Sequence, residues 1–183
     1  MGERLSQRLM LAAALAGLLP LVACSVDVQE QDLGGGRKAV DIRSPMGNVS
    51  VRTGLESPDT GLAVYPGARP LRDEHEPENA DVSIGAAGFG LKVVATHYES
   101  DAGPDAIVGH YRDAMKAYGE VVECRGDIDF RGRRGAERPV CKRRMFSRET
   151  QLVVGTEERH RLVAIKPRGG GSEFAVVYIQ TRS

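Results

Sequence analysis

Arginines supply the chemistry most open to interpretation in this sequence. From Arg125 to Arg148 the chain carries nine basic residues, Arg125, Arg131, Arg133, Arg134, Arg138, Lys142, Arg143, Arg144 and Arg148. They face only Asp127, Asp129 and Glu137, a local balance of +6. Guanidinium forks match the geometry of phosphates and carboxylates. Arg131, Arg133, Arg134, Arg138, Lys142, Arg143 and Arg144 are therefore candidate contacts for an anionic partner, either lipid phosphates or an acidic protein. The plainer reading is a solvated loop kept soluble by its charges. Cys124 and Cys141 flank much of the segment, and their spacing fits neither a C-x-x-C redox motif nor a thiolate zinc site.

The opposite charge gathers at residues 56–105, where ten carboxylates face Arg69, Arg72 and Lys92, a balance of −7. Within it, Asp73-Glu74-His75-Glu76-Pro77-Glu78 lacks the ligand offsets of a calcium loop and reads as an acidic surface loop. His97, His110 and His160 stand apart in sequence, and no H-E-x-x-H, nucleophile elbow or phosphate loop is present. The glycine runs 34–36 and 169–171 do not lead from a strand into a helix, as nucleotide fingerprints require. No metal or cofactor is expected, and no catalytic residue stands out. An enzyme assembled from distant acidic residues and a histidine, of a hydrolase kind, is the second reading.

These residues need elements to position them. Pro104, with Asp101 and Asp105 near the helix start and Gly119 at its exit, predicts a helix whose stripe is Ile107, Tyr111, Ala114 or Met115, and Tyr118. Alternating runs at 40–43 and 49–52 flank Ser44-Pro45-Met46-Gly47-Asn48 and predict a β-hairpin. A second hairpin is expected over 81–100. Its later strand is apolar on both faces and so interior to the sheet. Further strands are expected near 121–124, 151–154, 162–165 and 174–179, with residues 54–61 and 69–81 as loops. The expected class is α+β, a mostly antiparallel sheet with one main helix packed on one face, preceded by a short N-terminal β-hairpin. Residues 24–38, with Gly34-Gly35-Gly36, read as a flexible tether, and 39–183 as a single domain, with 39–53 either paired to its sheet or forming a separate hairpin.

At the N-terminus, Arg4 and Arg8 precede an apolar run from Leu9 to Leu19, the pattern of a secretory signal peptide. The run is too short to span a bilayer as a helix, which takes about 20 apolar residues. Leu21-Val22-Ala23-Cys24 resembles the lipobox of bacterial lipoproteins. That resemblance covers the signal alone. It implies cleavage after residue 23, acylation of Cys24, and a place in the cell envelope. Ser25 in place of aspartate implies the outer membrane rather than the inner. Acyl chains anchor a protein stably when more than one is present.

Loss of residues 1–23 removes Arg4, Arg8 and Glu3, leaving 23 basic and 24 acidic residues. A near-neutral balance gives no general case for a polyanionic partner, and nucleic acid is not expected. An exported chain meets oxidising conditions, so Cys124 and Cys141 are expected to pair. The bridge would close a loop of about 17 residues, worth roughly 3 kcal/mol. The function expected is a lipid-anchored envelope protein with a binding or scaffolding role, with the arginine segment as its contact site.

Overall fold

The computed structural model describes residues 25–55, 59–71, 79–143 and 147–182, without the side chain of Arg143. Twelve strands and one α-helix fill them, in the order β1 (Asp27–Gly34), β2 (Arg37–Ser44), β3 (Gly47–Thr53), β4 (Arg69–Pro70), β5 (Asn79–Ala86), β6 (Phe89–Ser100), α1 (Pro104–Met115), β7 (Val122–Cys124), β8 (Gly126–Arg131), β9 (Arg138–Arg143), β10 (Thr150–Gly155), β11 (Arg159–Arg168) and β12 (Gly171–Arg182). Ten strands form one sheet in the order β1-β2-β3-β5-β6-β12-β11-β10-β7, with β4 also paired to β6. β8 and β9 make a separate two-stranded sheet. Every pairing is antiparallel.

The class is therefore mainly β, which corrects the α+β expectation. The one α-helix among the described residues spans 12 residues and lies across β10, β11 and β12, while the sheet continues far beyond its reach. The tether expectation falls for the same reason, since residues 27–34 are β1. A run of glycines is flexible only if nothing orders it. In this chain Gly35 and Gly36 sit between the paired Gly34 and Arg37 with φ of 65° and 79°. A two-residue hairpin turn of type I′ demands positive φ at both positions, and glycine adopts it without a Cβ clash. Residues 39–53 do not stand apart either. β2 pairs β3, and β3 pairs β5 along seven positions from Gly47↔Ala86 to Thr53↔Ala80.

The helix starts where expected. Pro104 occupies the first turn and Asp105 complements the positive end. Ser172 on β12 donates to the carbonyl of Ala102 at 2.7 Å, fixing the chain just before the helix. Ile107, Val108, Tyr111 and Met115 are buried against Leu152, Val154, Val163, Ile165, Phe174 and Val176. Tyr118 leaves the stripe because the chain tightens into a 3-10 turn at Lys116–Tyr118, which breaks the 3.6-residue period. Tyr111 lies 5.7 Å from the Phe174 ring and its hydroxyl accepts the Tyr65 N–H at 3.2 Å. Burial pushes its ionisation up to about 12, so it stays a neutral phenol.

The two faces of the sheet differ. On the helix side, the register aligns Ile165, Phe174 and Tyr98 across β11, β12 and β6. The same side carries Asp41, Ser50, Asp81 and Ser83 farther along β2, β3 and β5. The opposite side carries Val40, Ile42, Val49, Val51, Val82, Ile84, Leu91, Val93, Val177 and Ile179 in register. From β2 to β11 no residue on that opposite side is fully buried.

Candidate functional site: the arginine hairpin

The segment expected to be a charged loop is built as the hairpin β8–β9, with Gly126 opposite Arg143 and Arg131 opposite Arg138. Its strands alternate. Asp127, Asp129 and Arg131 interleave with Gly126, Ile128 and Phe130, of which Gly126 is buried and Ile128 half-buried. At the tip, the Ala136 N–H donates to the Arg133 carbonyl at 2.8 Å. Gly135, third in that turn, has φ of 79°, the backbone a type II turn requires at this position.

Two attachments hold this hairpin. Cys124 on β7 and Cys141 on β9 form a disulfide with Cα atoms 5.3 Å apart, as expected from the sequence. Near the tip, the Phe130 ring sits 4.8 Å from His160 of β11, and the Glu157 N–H donates to the Glu137 carbonyl at 3.3 Å. His160 Nδ1 faces the carbonyls of Thr156 and Glu157 at 3.0 and 3.2 Å. Both are acceptors, so Nδ1 carries the proton. Desolvation lowers the affinity of this imidazole for a second proton.

The expected contact residues divide into three groups. Lys142 and Arg131 both reach Asp129 Oδ2, at 2.8 and 3.4 Å, and the Lys142 ammonium is the main reason the Asp129 carboxyl is held below its usual range. Arg133, Arg134 and Arg138 are exposed and make no ion pair among the described residues. Arg143 lies on β9, and Arg144 falls outside the described residues, as do Cys24 and the acidic run 73–78. Three guanidinium groups thus remain for a phosphate or carboxylate at the tip. No ion pair among the described residues joins them to the acidic segment. Glu99 and Asp101 are taken by Arg69, and Glu99 also by Arg168. Asp81 is taken by Lys92.

The histidines do not assemble a catalytic group among the described residues. His110 stands edge-on to Tyr65 and Tyr111, with ring centroids 5.1 and 5.0 Å away. His97 opens onto a hollow of about 190 Å³ with Glu149, Lys166 and Glu173. There Lys166 pairs with Glu173 at 2.8 Å and Glu149 accepts from Gln151 at 2.6 Å. His97 is hydrogen-bonded to neither carboxylate by side chain among the described residues, so the base-and-orienter geometry of a hydrolase is not formed.

Arg161 is the residue the sequence reading passed over. Its guanidinium stacks 3.6 Å from the Tyr118 ring centroid and 4.8 Å from that of Tyr178. Its Nε donates to the Thr60 carbonyl at 3.0 Å, and the Tyr118 hydroxyl donates to the Gly61 carbonyl. Together they clamp the segment around Thr60 onto the sheet. A Cβ at Gly61 would meet the Arg161 guanidinium at 2.6 Å and displace it, and the φ of 74° here strains any other residue. No known protein family, no curated protein and no solved structure matches this chain.

Proposed function

We propose that this chain is a lipid-anchored protein of the bacterial cell envelope that binds or scaffolds an anionic partner through the tip of the β8–β9 hairpin. One observation carries the binding half of this reading. Arg133 and Arg134 in the turn and Arg138 at the start of β9 are exposed without ion-pair partners among the described residues, on a hairpin tied to the sheet by a disulfide. A tip held in this way loses little conformational entropy on contact, which is the advantage of preorganisation. Exposed arginines along a flexible loop would have no such advantage. The partner is an anionic envelope component or an acidic protein, recognised through phosphate or carboxylate oxygens.

The anchor half rests on Leu21-Val22-Ala23-Cys24 and the apolar run before it. Intact mass of the protein from bacterial membranes, beside Cys24→Ala, tests it. Acyl mass on a chain starting at Cys24, lost in the variant, supports the anchor, whereas a cleaved chain without acyl mass removes it. For the tip, the triple variant Arg133→Glu, Arg134→Glu, Arg138→Glu is expected to recover fewer cross-linked envelope partners than the parent. Unchanged recovery takes the hairpin out of the reading.

A further inference from the structure

Seven large apolar side chains are prominently exposed among the described residues, and four of them lie at one end of the β1–β6 part of the sheet. Val26 and Val28, 60% and 61% exposed, flank the start of β1. The register carries this end across the sheet step by step. Asp27 pairs Arg43 of β2, and Ser44 and Gly47 flank the Pro45-Met46 turn. Gly47 pairs Ala86, and Ala86 pairs Phe89. Met46 is 82% exposed and Phe89 47%. Arg43 and Arg182 are also exposed at this end, Arg182 being opposite Gly90, with Asp27 opposite Arg43.

The side of the sheet away from the helix continues this apolar character inward from the same end. Val28, Ile42, Val49, Ile84 and Leu91 lie nearest to it, and Val40, Val51, Val82 and Val93 come next. Glu30, beside Val40, interrupts the second row on β1, and toward the far end the same side carries Asp32 and Lys38 on β1 and β2 and His97 and Glu99 on β6. Such a gradient, apolar at one end and charged at the other, is what a lipid–water interface selects.

We propose that this end of the sheet docks on the bilayer surface, with Met46 and Phe89 entering the acyl boundary and Arg43 and Arg182 reaching lipid phosphates. The inference rests on the lipid-anchor reading, which supplies its geometry. Only Ser25 and Val26 separate Cys24 from Asp27, so an acylated Cys24 holds the start of β1 within about 10 Å of the headgroups. Strands are spaced by about 4.8 Å, which puts Phe89 on β6 within about 20 Å of β1 along the surface. A tether this short leaves little freedom to present another end. Burying apolar tips beside an anchor adds binding area that a lipid alone lacks, and arginines suit the anionic headgroup layer.

The chain contains no tryptophan, so a single introduced indole reports without background. The full chain from membranes, as Met46→Trp, Phe89→Trp, Leu33→Trp or Val64→Trp, is mixed with phosphatidylethanolamine–phosphatidylglycerol vesicles containing lipids brominated in mid-chain. Leu33 and Val64 are each 44% exposed but lie elsewhere. The expected result is a blue shift and about a twofold loss of emission at positions 46 and 89, with neither at 33 and 64. No quenching at 46 and 89, or equal quenching at all four, overturns the proposal. A blue shift without quenching, accompanied by a doubled mass, also overturns it by making a second copy the occupant. Intact mass on the same samples scores the anchor separately. Acylated protein with unquenched Met46→Trp leaves the anchor standing and removes the docking, whereas unacylated protein with selective quenching does the reverse.

Discussion

β10–β12 and β1–β3 belong to one hydrogen-bonded sheet, yet they solve the burial problem differently. Beneath α1, Leu152, Val163, Ile165 and Phe174 are sealed on the helix side, at 2% exposure or less. In β1–β3, only Ala39 is buried, and all eight residues of β1 are exposed. Backbone pairing is continuous across both, so hydrogen bonding does not account for the difference. It lies in what covers the side chains. A two-sided sheet without a cover gains little from each apolar residue, because the area removed from water sets the stabilisation, at about 25 cal/mol per Å². The comparison teaches that β1–β3 are held mainly by backbone pairing, which reaches the rest of the sheet through β3 and β5, and that their apolar side adds little to the core.

A matched pair of truncations tests this most sharply. Ile165→Ala, fully buried under the helix, should cost about 3–4 kcal/mol in urea unfolding. Ile84→Ala, the same change on the half-buried opposite side, should cost about 1 kcal/mol. Equal losses would mean that both sides are core.

Next in size is the hairpin against the main sheet. Replacing Cys124 and Cys141 by serine should lower stability by roughly 3 kcal/mol. A lone two-stranded sheet is marginal in water, so amides of β8 and β9 should exchange faster in hydrogen–deuterium exchange while those of β11 and β12 keep their ranking. Uniform acceleration would show the bridge to be part of the core.

The smallest effect is one of pH. Desolvation depresses the folded-state proton affinity of His160. Between its folded pKa and the usual 6.5, the unfolded chain binds the extra proton more readily, so stability falls as pH drops below about 6.5. The loss ends once pH passes the folded value. His160→Asn should flatten this dependence between pH 7.5 and 5 in thermal melts, with the steeper acid loss from carboxylates such as Asp129 arriving below its usual range near 3.8. A parent protein whose melting is insensitive to pH in that window would contradict the assignment.

The strongest local signals were legible from the residues. Pro104, Asp105 and the Ile107–Tyr111 spacing marked α1, and the two-sided apolar run 91–98 marked β6 as interior. Cys124 and Cys141 pair as export and spacing suggested. Other features were masked by competing signals. Gly34-Gly35-Gly36 reads equally as a linker or as a turn, and only the partner strand decides. In β8 the alternation of Asp127, Asp129 and Arg131 with Ile128 and Phe130 was present but hidden under the arginine count, and the Gly132–Gly135 turn signal was its missing companion. The Arg161 clamp joins residues 101 positions apart, a contact that no spacing rule reaches. The α+β expectation fails because the clearest local signal, that of α1, belongs to an element of only 12 residues.

β1 also leaves one whole row of backbone donors and acceptors without a neighbour among the described residues, since it is the outermost strand on its side. An open edge eight residues long invites a second chain to add itself as the next strand, the route by which sheets polymerise. Asp27, Glu30 and Asp32 stand along this edge, and two such edges brought together would set carboxylates against carboxylates. The other margin, β7, is only three residues long. Carboxylates on both approaching edges thus disfavour strand addition between two copies of this chain.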